Sequence, residues 1–168
     1  MSASATGEAG RAVAAGGPPG GGDAAEVFLT LSVSAQLCGV PVRLVRDVLG
    51  PQAITRIPLA PREVAGSLNL RGRIVTALDL RRRLGLPERG ADAAQPMSVV
   101  VEHGADLYSL LADGVGDVVP LGADGFAPNP PTLDAAWREI SRGVHRDVPG
   151  EDGRLLIVLD VERVLALG

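Results

Sequence analysis

The chain has 168 residues, 46% of them apolar, which is enough for one domain or for two small lobes sharing a core. A net charge of −4 and an aromatic content of 2% argue against base stacking and against non-specific binding to phosphate backbones. One cysteine excludes an internal disulfide and a multi-cysteine zinc site, and no apolar run approaches the ~20 residues that cross a bilayer.

Residues 1–25 are mostly Ala and Gly with a Pro18-Pro19 pair and no signal-peptide pattern, so a soluble, cytoplasmic protein is expected. They hold too little large apolar surface to offset the entropy of ordering, which predicts a disordered tail. Gly20-Gly-Gly22 reads as linker, since no helix carrying Lys-Ser or Lys-Thr follows it. From Glu26 the texture changes. Val27 to Val33 reads as a strand and Gln36 to Val42 as a second, with Pro41 confined to an edge or a strand end. Val42, Leu44, Val45, Val48 and Leu49 then make an apolar stripe, broken by Arg43, Arg46 and Asp47, that suits a short helical turn leading into a strand. Ile54 to Ile57 is predicted as a short strand ended by Pro58-Leu-Ala-Pro61, and Arg62 to Gly66 as one helical turn at most.

The centre of the chain is a repeat. Gly72-Arg-Ile-Val-Thr-Ala-Leu-Asp-Leu-Arg-Arg-Arg-Leu84 returns in register as Gly153-Arg-Leu-Leu-Ile-Val-Leu-Asp-Val-Glu-Arg-Val-Leu165. Each copy reads as a turn glycine, an apolar strand, and an Asp that caps a short helix. Asn69-Leu-Arg-Gly72 is the hairpin turn before the first copy, with Gly72 free to take a positive φ. Leu86 to Pro96 is polar and rich in Gly, Pro and Ala, and is expected to link two lobes.

A second β-rich half is predicted beyond it: strands at Met97 to Glu102 and Leu107 to Ala112, joined by a turn at His103-Gly104. Val115-Gly-Asp-Val118 echoes Val45-Arg-Asp-Val48, and Leu133 to Ile140 reads as a short helix with no counterpart earlier. Short strands punctuated by Gly and Pro point to an all-β fold with short helices, arranged as a pair of small barrels.

The chemistry offered is thin, so no enzyme, metal or cofactor is expected. His103 and His145 lack ligand spacing and read as turn or surface histidines. Asp79 and Asp160 read as helix caps rather than as paired catalytic carboxylates, and Arg81-Arg82-Arg83 as the wet face of an amphipathic turn. Arg71 differs, because a turn displays its planar fork with limited freedom, and a recognition role competes with local carbonyl capping. Val42, Val45 and Val115 are either core or a groove between lobes able to receive the apolar stripe of a partner helix.

Gly39-Val-Pro-Val-Arg-Leu-Val-Arg-Asp-Val48, Thr55-Arg-Ile-Pro58, Gly66-Ser-Leu-Asn-Leu-Arg-Gly72, Ile74-Val-Thr-Ala-Leu-Asp-Leu80 and Asp113-Gly-Val-Gly-Asp-Val118, in that order and spacing, resemble the CheW family. The resemblance runs from about Glu26 to Leu167, and departs where Thr76 replaces a usual Pro, Cys38 a frequent aromatic and Ser109 a frequent Gly. It implies two SH3-like five-stranded β-barrels around a shared hydrophobic core. It also implies a non-catalytic adaptor that couples the cytoplasmic tip of chemoreceptors to a CheA-type histidine kinase at membrane receptor arrays, without inserting into the membrane. Carried onto this chain, the receptor groove falls on Val42, Val45, Asp47 and Val115, and signalling and array contacts on Gly66, Asn69, Leu70, Arg71 and Gly72. Two other readings remain: the same scaffold in a receptor–kinase pathway for surface motility or gene expression, and a small nucleic-acid-binding barrel.

Overall fold

The computed structural model describes residues 25–151 and 153–167, so the expected tail lies almost wholly outside the described residues. In chain order the strands are β1 (Glu26–Val33), β2 (Gln36–Pro41), β3 (Val45–Leu49), β4 (Val64–Leu70) and β5 (Arg73–Asp79), followed by α1 (Leu80–Arg83). Then come β6 (Met97–His103), β7 (Asp106–Ala112), β8 (Gly114–Leu121), β9 (Phe126–Ala127), α2 (Ala135–Ile140), β10 (Ser141–His145), β11 (Leu156–Leu159) and α3 (Val161–Leu165). The fold is all-β with short helices, as the composition of short strands and turn residues implies. A 3-10 turn, Val42–Leu44, carries the chain from β2 to β3, where a helical turn was expected. Ile54 to Ile57 is not a strand: only Thr55 pairs, in an isolated bridge to Ser67.

Two sheets form, with strand orders β3-β6-β7-β5-β4 and β8-β1-β2-β11-β10-β9. One therefore has the five strands expected, while the other has a sixth, the two-residue β9. The halves of the chain are not the two sheets. The hairpin β1–β2 joins β8, β10 and β11, and the hairpin β6–β7 joins β3, β4 and β5. Each repeat thus lends its hairpin to the other's sheet, through parallel pairings of β5 with β7 and of β11 with β2. Residues 86–96 accordingly run from α1 to β6 inside one sheet's set of strands rather than from lobe to lobe.

The repeat seen in the sequence is kept in the backbone. Asp79 accepts a hydrogen bond from the Arg81 N–H at 2.9 Å and Asp160 one from the Arg163 N–H at 3.2 Å, each capping its helix. The strand before each copy carries a bulge at the same place, between Val64 and Gly66 and between Ser141 and Gly143. The inner faces of both sheets meet in one core, with Leu29, Leu31, Val33 and Val40 from one and Leu78, Val99, Val101 and Leu110 from the other. Outer clusters complete each sheet on its far side: Leu68, Val75, Ala77, Val100 and Leu111, and Phe28, Leu37, Leu121, Leu156 and Val158.

Ion pairs fasten the lobes together. Asp113, at the crossing from β7 to β8, accepts from Arg81 at 2.9 Å, from Arg89 at 2.9 Å and from the Ser34 N–H at 2.6 Å. Arg89 also donates to Asp79 at 2.9 Å. The three arginines at 81–83 are therefore no uniform wet face. Arg81 is tied to Asp113, and Arg83 lies across the C-terminal turn of α3.

Candidate functional site

The turn between β4 and β5 is built by its own residues. Arg71 and Gly72 both take positive φ, 52° and 86°, and the Asn69 side chain accepts the Gly72 N–H at 2.9 Å. That geometry aims the Arg71 guanidinium at β3, where it sits 3.2 Å from an Asp47 carboxylate oxygen. Arg46, Asp47, Leu70, Arg71, Arg73, Glu102 and Leu107 line a shallow depression of about 270 Å³ there. Arg46 and Glu102 pair across its rim. Of the residues predicted from sequence, Asp47, Leu70 and Arg71 are thus brought together, with Asn69 and Gly72 shaping the turn beside them.

The three valines have a different setting. Pairing places Val45 opposite Val101, Val101 opposite Tyr108 and Tyr108 opposite Thr76. The other sheet repeats the row as Val115, Leu31, Cys38 and Ile157. Val45 and Val115 are therefore equivalent positions, each on the terminal strand of its main sheet run and each half-buried against the central core. Val42 packs on the same core from the 3-10 turn. The depressions that open nearby are lined by other residues, such as Pro41, Arg43 and Leu44 beside Leu159 and Val161.

Gly66 is buried and contributes no surface. A Cβ there would lie 2.2 Å from the Thr55 carbonyl oxygen, and its φ is +151°, so glycine is required for the Thr55–Ser67 bridge to close. Gly143, which the sequence reading passed over, plays the matching part beside Phe126 and the Ala127 carbonyl. Sequence reading also missed the most exposed apolar residues. Leu59 stands fully in solvent at φ +62°, flanked by Ile57, above a depression of about 850 Å³ bordered by Arg56, Arg62 and Arg82. Ile74, next to the Arg71 turn, is 70% exposed. The Pro58-Leu-Ala-Pro61 bracket was the available signal for the first, because two prolines fix a displayed loop.

Titratable groups elsewhere are engaged in structure. Burial pushes the Cys38 thiol far up from its ordinary value and leaves it un-ionised. Burial would raise the Asp113 carboxyl, but the Arg81 hydrogen bond, the Ser34 N–H and the nearby Arg89 charge together hold it below its ordinary value. Among the described residues no three His, Cys, Asp or Glu side chains cluster as a metal site would need. What the surface offers is contact area, some of it apolar and some of it ionic.

The CheW-like domain family model matches residues 27–167, spanning both sheets. This chain belongs to the CheW-like family. A chemotaxis protein CheW from Klebsiella aerogenes is 30% identical over 139 residues, covering 83% of this chain and 81% of that one. One from Rhizobium meliloti is 28% identical over 141 residues, covering 82% and 85%. The crystal structure of the scaffolding protein TtCheW from Thermoanaerobacter tengcongensis superposes with a TM-score of 0.73 at 25% identity, covering 86% of this chain and 94% of that one. As a CheW-like chain the protein is a non-catalytic coupling adaptor of chemotaxis signal transduction. No helix among the described residues is long and apolar enough to cross a membrane.

Proposed function

We propose that this CheW-like chain joins the cytoplasmic tip of a chemoreceptor to a CheA-type histidine kinase and so controls the kinase's autophosphorylation at receptor arrays. What carries the reading is the family match across residues 27–167, which takes in both sheets and the core between them. Two separate exposed surfaces support a protein that holds two partners at once: the apolar Ile57–Leu59 loop, and the depression around the Asp47–Arg71 pair with Leu70 and Leu107 in its lining. Burial of a few apolar anchors inside a polar rim is how modest interfaces gain affinity. Val42, Val45 and Val115 contribute by setting the sheet edges against the core. Asn69, Leu70, Arg71 and Gly72 present the turn, and Gly66 keeps the strand beneath it in place.

Co-sedimentation with receptor-bearing membranes and kinase tests this. The native chain is expected in the pellet only when its partners are present. Leu59→Asp, at the fully exposed position of the Ile57–Leu59 loop, is expected to lower the pelleted fraction with little change in the melt. Recovery in the supernatant whatever is added would remove the proposal. A second reading keeps the scaffold but places it in another receptor–kinase pathway, such as surface motility or gene expression. It is favoured by the 33% identity to Protein PilI of Pseudomonas aeruginosa over 110 residues, 65% of this chain and 61% of that one. Pull-down with each candidate kinase separates the two.

A further inference from the structure

The chain contains two phenylalanines and two histidines, and both phenylalanines and one histidine stand around a single cavity. Phe28 of β1, Phe126 of β9 and His145 of β10 surround an opening of about 220 Å³ at the mouth of the six-stranded sheet, floored by Val158. The His145 ring lies 6.0 Å from that of Phe28 and 5.6 Å from that of Phe126, tilted to both. His145 is 4% exposed, which corrects its reading as a surface or turn histidine, and its ring packs between those of the two phenylalanines. Aromatic rings walling an open cavity with a charged residue at its border are the lining that a small ring-bearing ligand would meet.

At the equivalent bulge of the other sheet the depression is of another kind, lined by Val64, Ala65 and the Arg56 to Arg62 loop with no aromatic ring. There Ile54 packs against Gly66 and closes on the outer cluster of that sheet. Phe126 meets Gly143 in the same way but leaves 42% of its surface exposed along the cavity rim. Two charges border the opening. Glu26 is paired with Arg43 at 3.5 Å, whereas Arg142 has no ion-pair partner among the described residues. The volume suits one six-membered ring, since an apolar cavity of about 150 Å³ is enough to hold benzene. Tilted aromatic walls favour an aromatic body over an aliphatic one of the same size.

We propose that this cavity is a binding site for a small aromatic carboxylate, one ring with a short anionic arm, its ring between Phe28 and Phe126 and its carboxylate meeting Arg142 and the His145 N–H. A ligand of that kind touches only the six-stranded sheet and leaves the Asp47–Arg71 turn and the Ile57–Leu59 loop free.

Phenylacetate is the probe, titrated into the full chain and followed by amide chemical shifts and calorimetry. Phenylacetamide serves as the uncharged isostere and acetate as the ring-less anion. Saturable binding with a Kd on the order of 0.1–1 mM is expected for a ligand of about ten heavy atoms. Shifts should be centred on Gly125, Phe126, Arg142 and His145. Phenylacetamide and acetate should each bind at least about tenfold more weakly, the loss of one charged contact or of the ring. Arg142→Gln and Phe126→Ala are both at exposed positions and should fold. The first should remove the preference for the acid over the amide, and the second should weaken both. No saturation below roughly 10 mM, equal affinity for acid and amide, or an unchanged titration in Arg142→Gln would each overturn the assignment.

Discussion

Arg83 of α1 donates from Nε to the Val164 carbonyl oxygen at 3.0 Å, and from Nη2 to that of Arg163 at 3.0 Å. A residue of the first repeat thereby caps the C-terminal end of the helix of the second, where carbonyls lack intrahelical partners. Its side chain is 10% exposed, and Glu139 lies 3.4 Å from Nη1. A hydrogen bond from a charged donor contributes about 1.5–3 kcal/mol when shielded and less in solvent, and of these two one is part-buried and the other exposed. Arg83→Met, which keeps the stem and removes the fork, is expected to cost about 2 kcal/mol in urea unfolding. Arg82→Met, one position earlier and more exposed, should cost less than half as much.

The glycines at 66 and 72 separate a structural role from a displayed one. Gly66→Ala sets a Cβ 2.2 Å from a backbone oxygen, so the Thr55–Ser67 bridge must break. The expected loss is about 3 kcal/mol or more. Gly72→Ala meets nothing within 4 Å at φ +86°, and only the backbone conformation resists it, at about 1 kcal/mol. Thermal melts of the two variants check this. Any binding defect in Gly66→Ala should then track the unfolded fraction.

Arg71→Ala removes an ion pair whose Arg71 side is exposed and whose Asp47 Oδ2 is buried, which contributes about 1 kcal/mol to folding. Its melt should fall by no more than a few degrees. Assembly of the ternary complex with receptor and kinase should weaken, and the effect should shrink at high salt as the guanidinium's contacts are screened. Sedimentation at low and high ionic strength measures both.

Two groups make stability depend on pH in the same sense. Burial lowers the His145 pKa, against the raising fields of Asp147 and Glu26, so the unfolded chain takes up that proton first. Its contribution is complete above the ordinary value of 6.5 and is lost as pH falls below it. Asp113, also lowered, contributes fully above its ordinary 3.8 and loses that contribution at more acid pH. Unfolding free energy should therefore drop in two stages, the first with a slope below about 1.4 kcal/mol per pH unit, the limit for one proton. His145→Phe should flatten the first stage and leave the second. A slope unchanged between pH 7 and 5 would show that another group is responsible.

Much of this was written locally in the sequence. The Asp79 and Asp160 caps, the turn at Asn69 to Gly72 and the apolar strands Val27–Val33 and Met97–Glu102 follow from residue type and spacing within a few positions. The in-register echo of Val45-Arg-Asp-Val48 in Val115-Gly-Asp-Val118 marked two residues that the pairing registers then made equivalent. The exchange of hairpins between sheets was not legible, because it depends on parallel pairings between strands far apart in the chain, β5 with β7 and β2 with β11. Residues 86–96 looked like a boundary for the same reason: their composition shows a loop, and composition does not say which sheet each end belongs to. Arg81 and Arg83 were read as solvated because a helical turn places them outward, and only the approach of Asp113 and of α3 gives them partners. Of the site residues, Asp47, Leu70 and Arg71 came together as a surface, whereas Gly66 proved to be backbone architecture.

The most direct measurement is kinase autophosphorylation reconstituted from receptor membranes and a CheA-type kinase, with and without this chain. A coupling adaptor should raise phosphate incorporation only when receptor is present, and the Arg71→Ala chain should do so less well at equal concentration. Incorporation that is the same with and without the chain, or that rises equally when receptor is left out, would contradict the account.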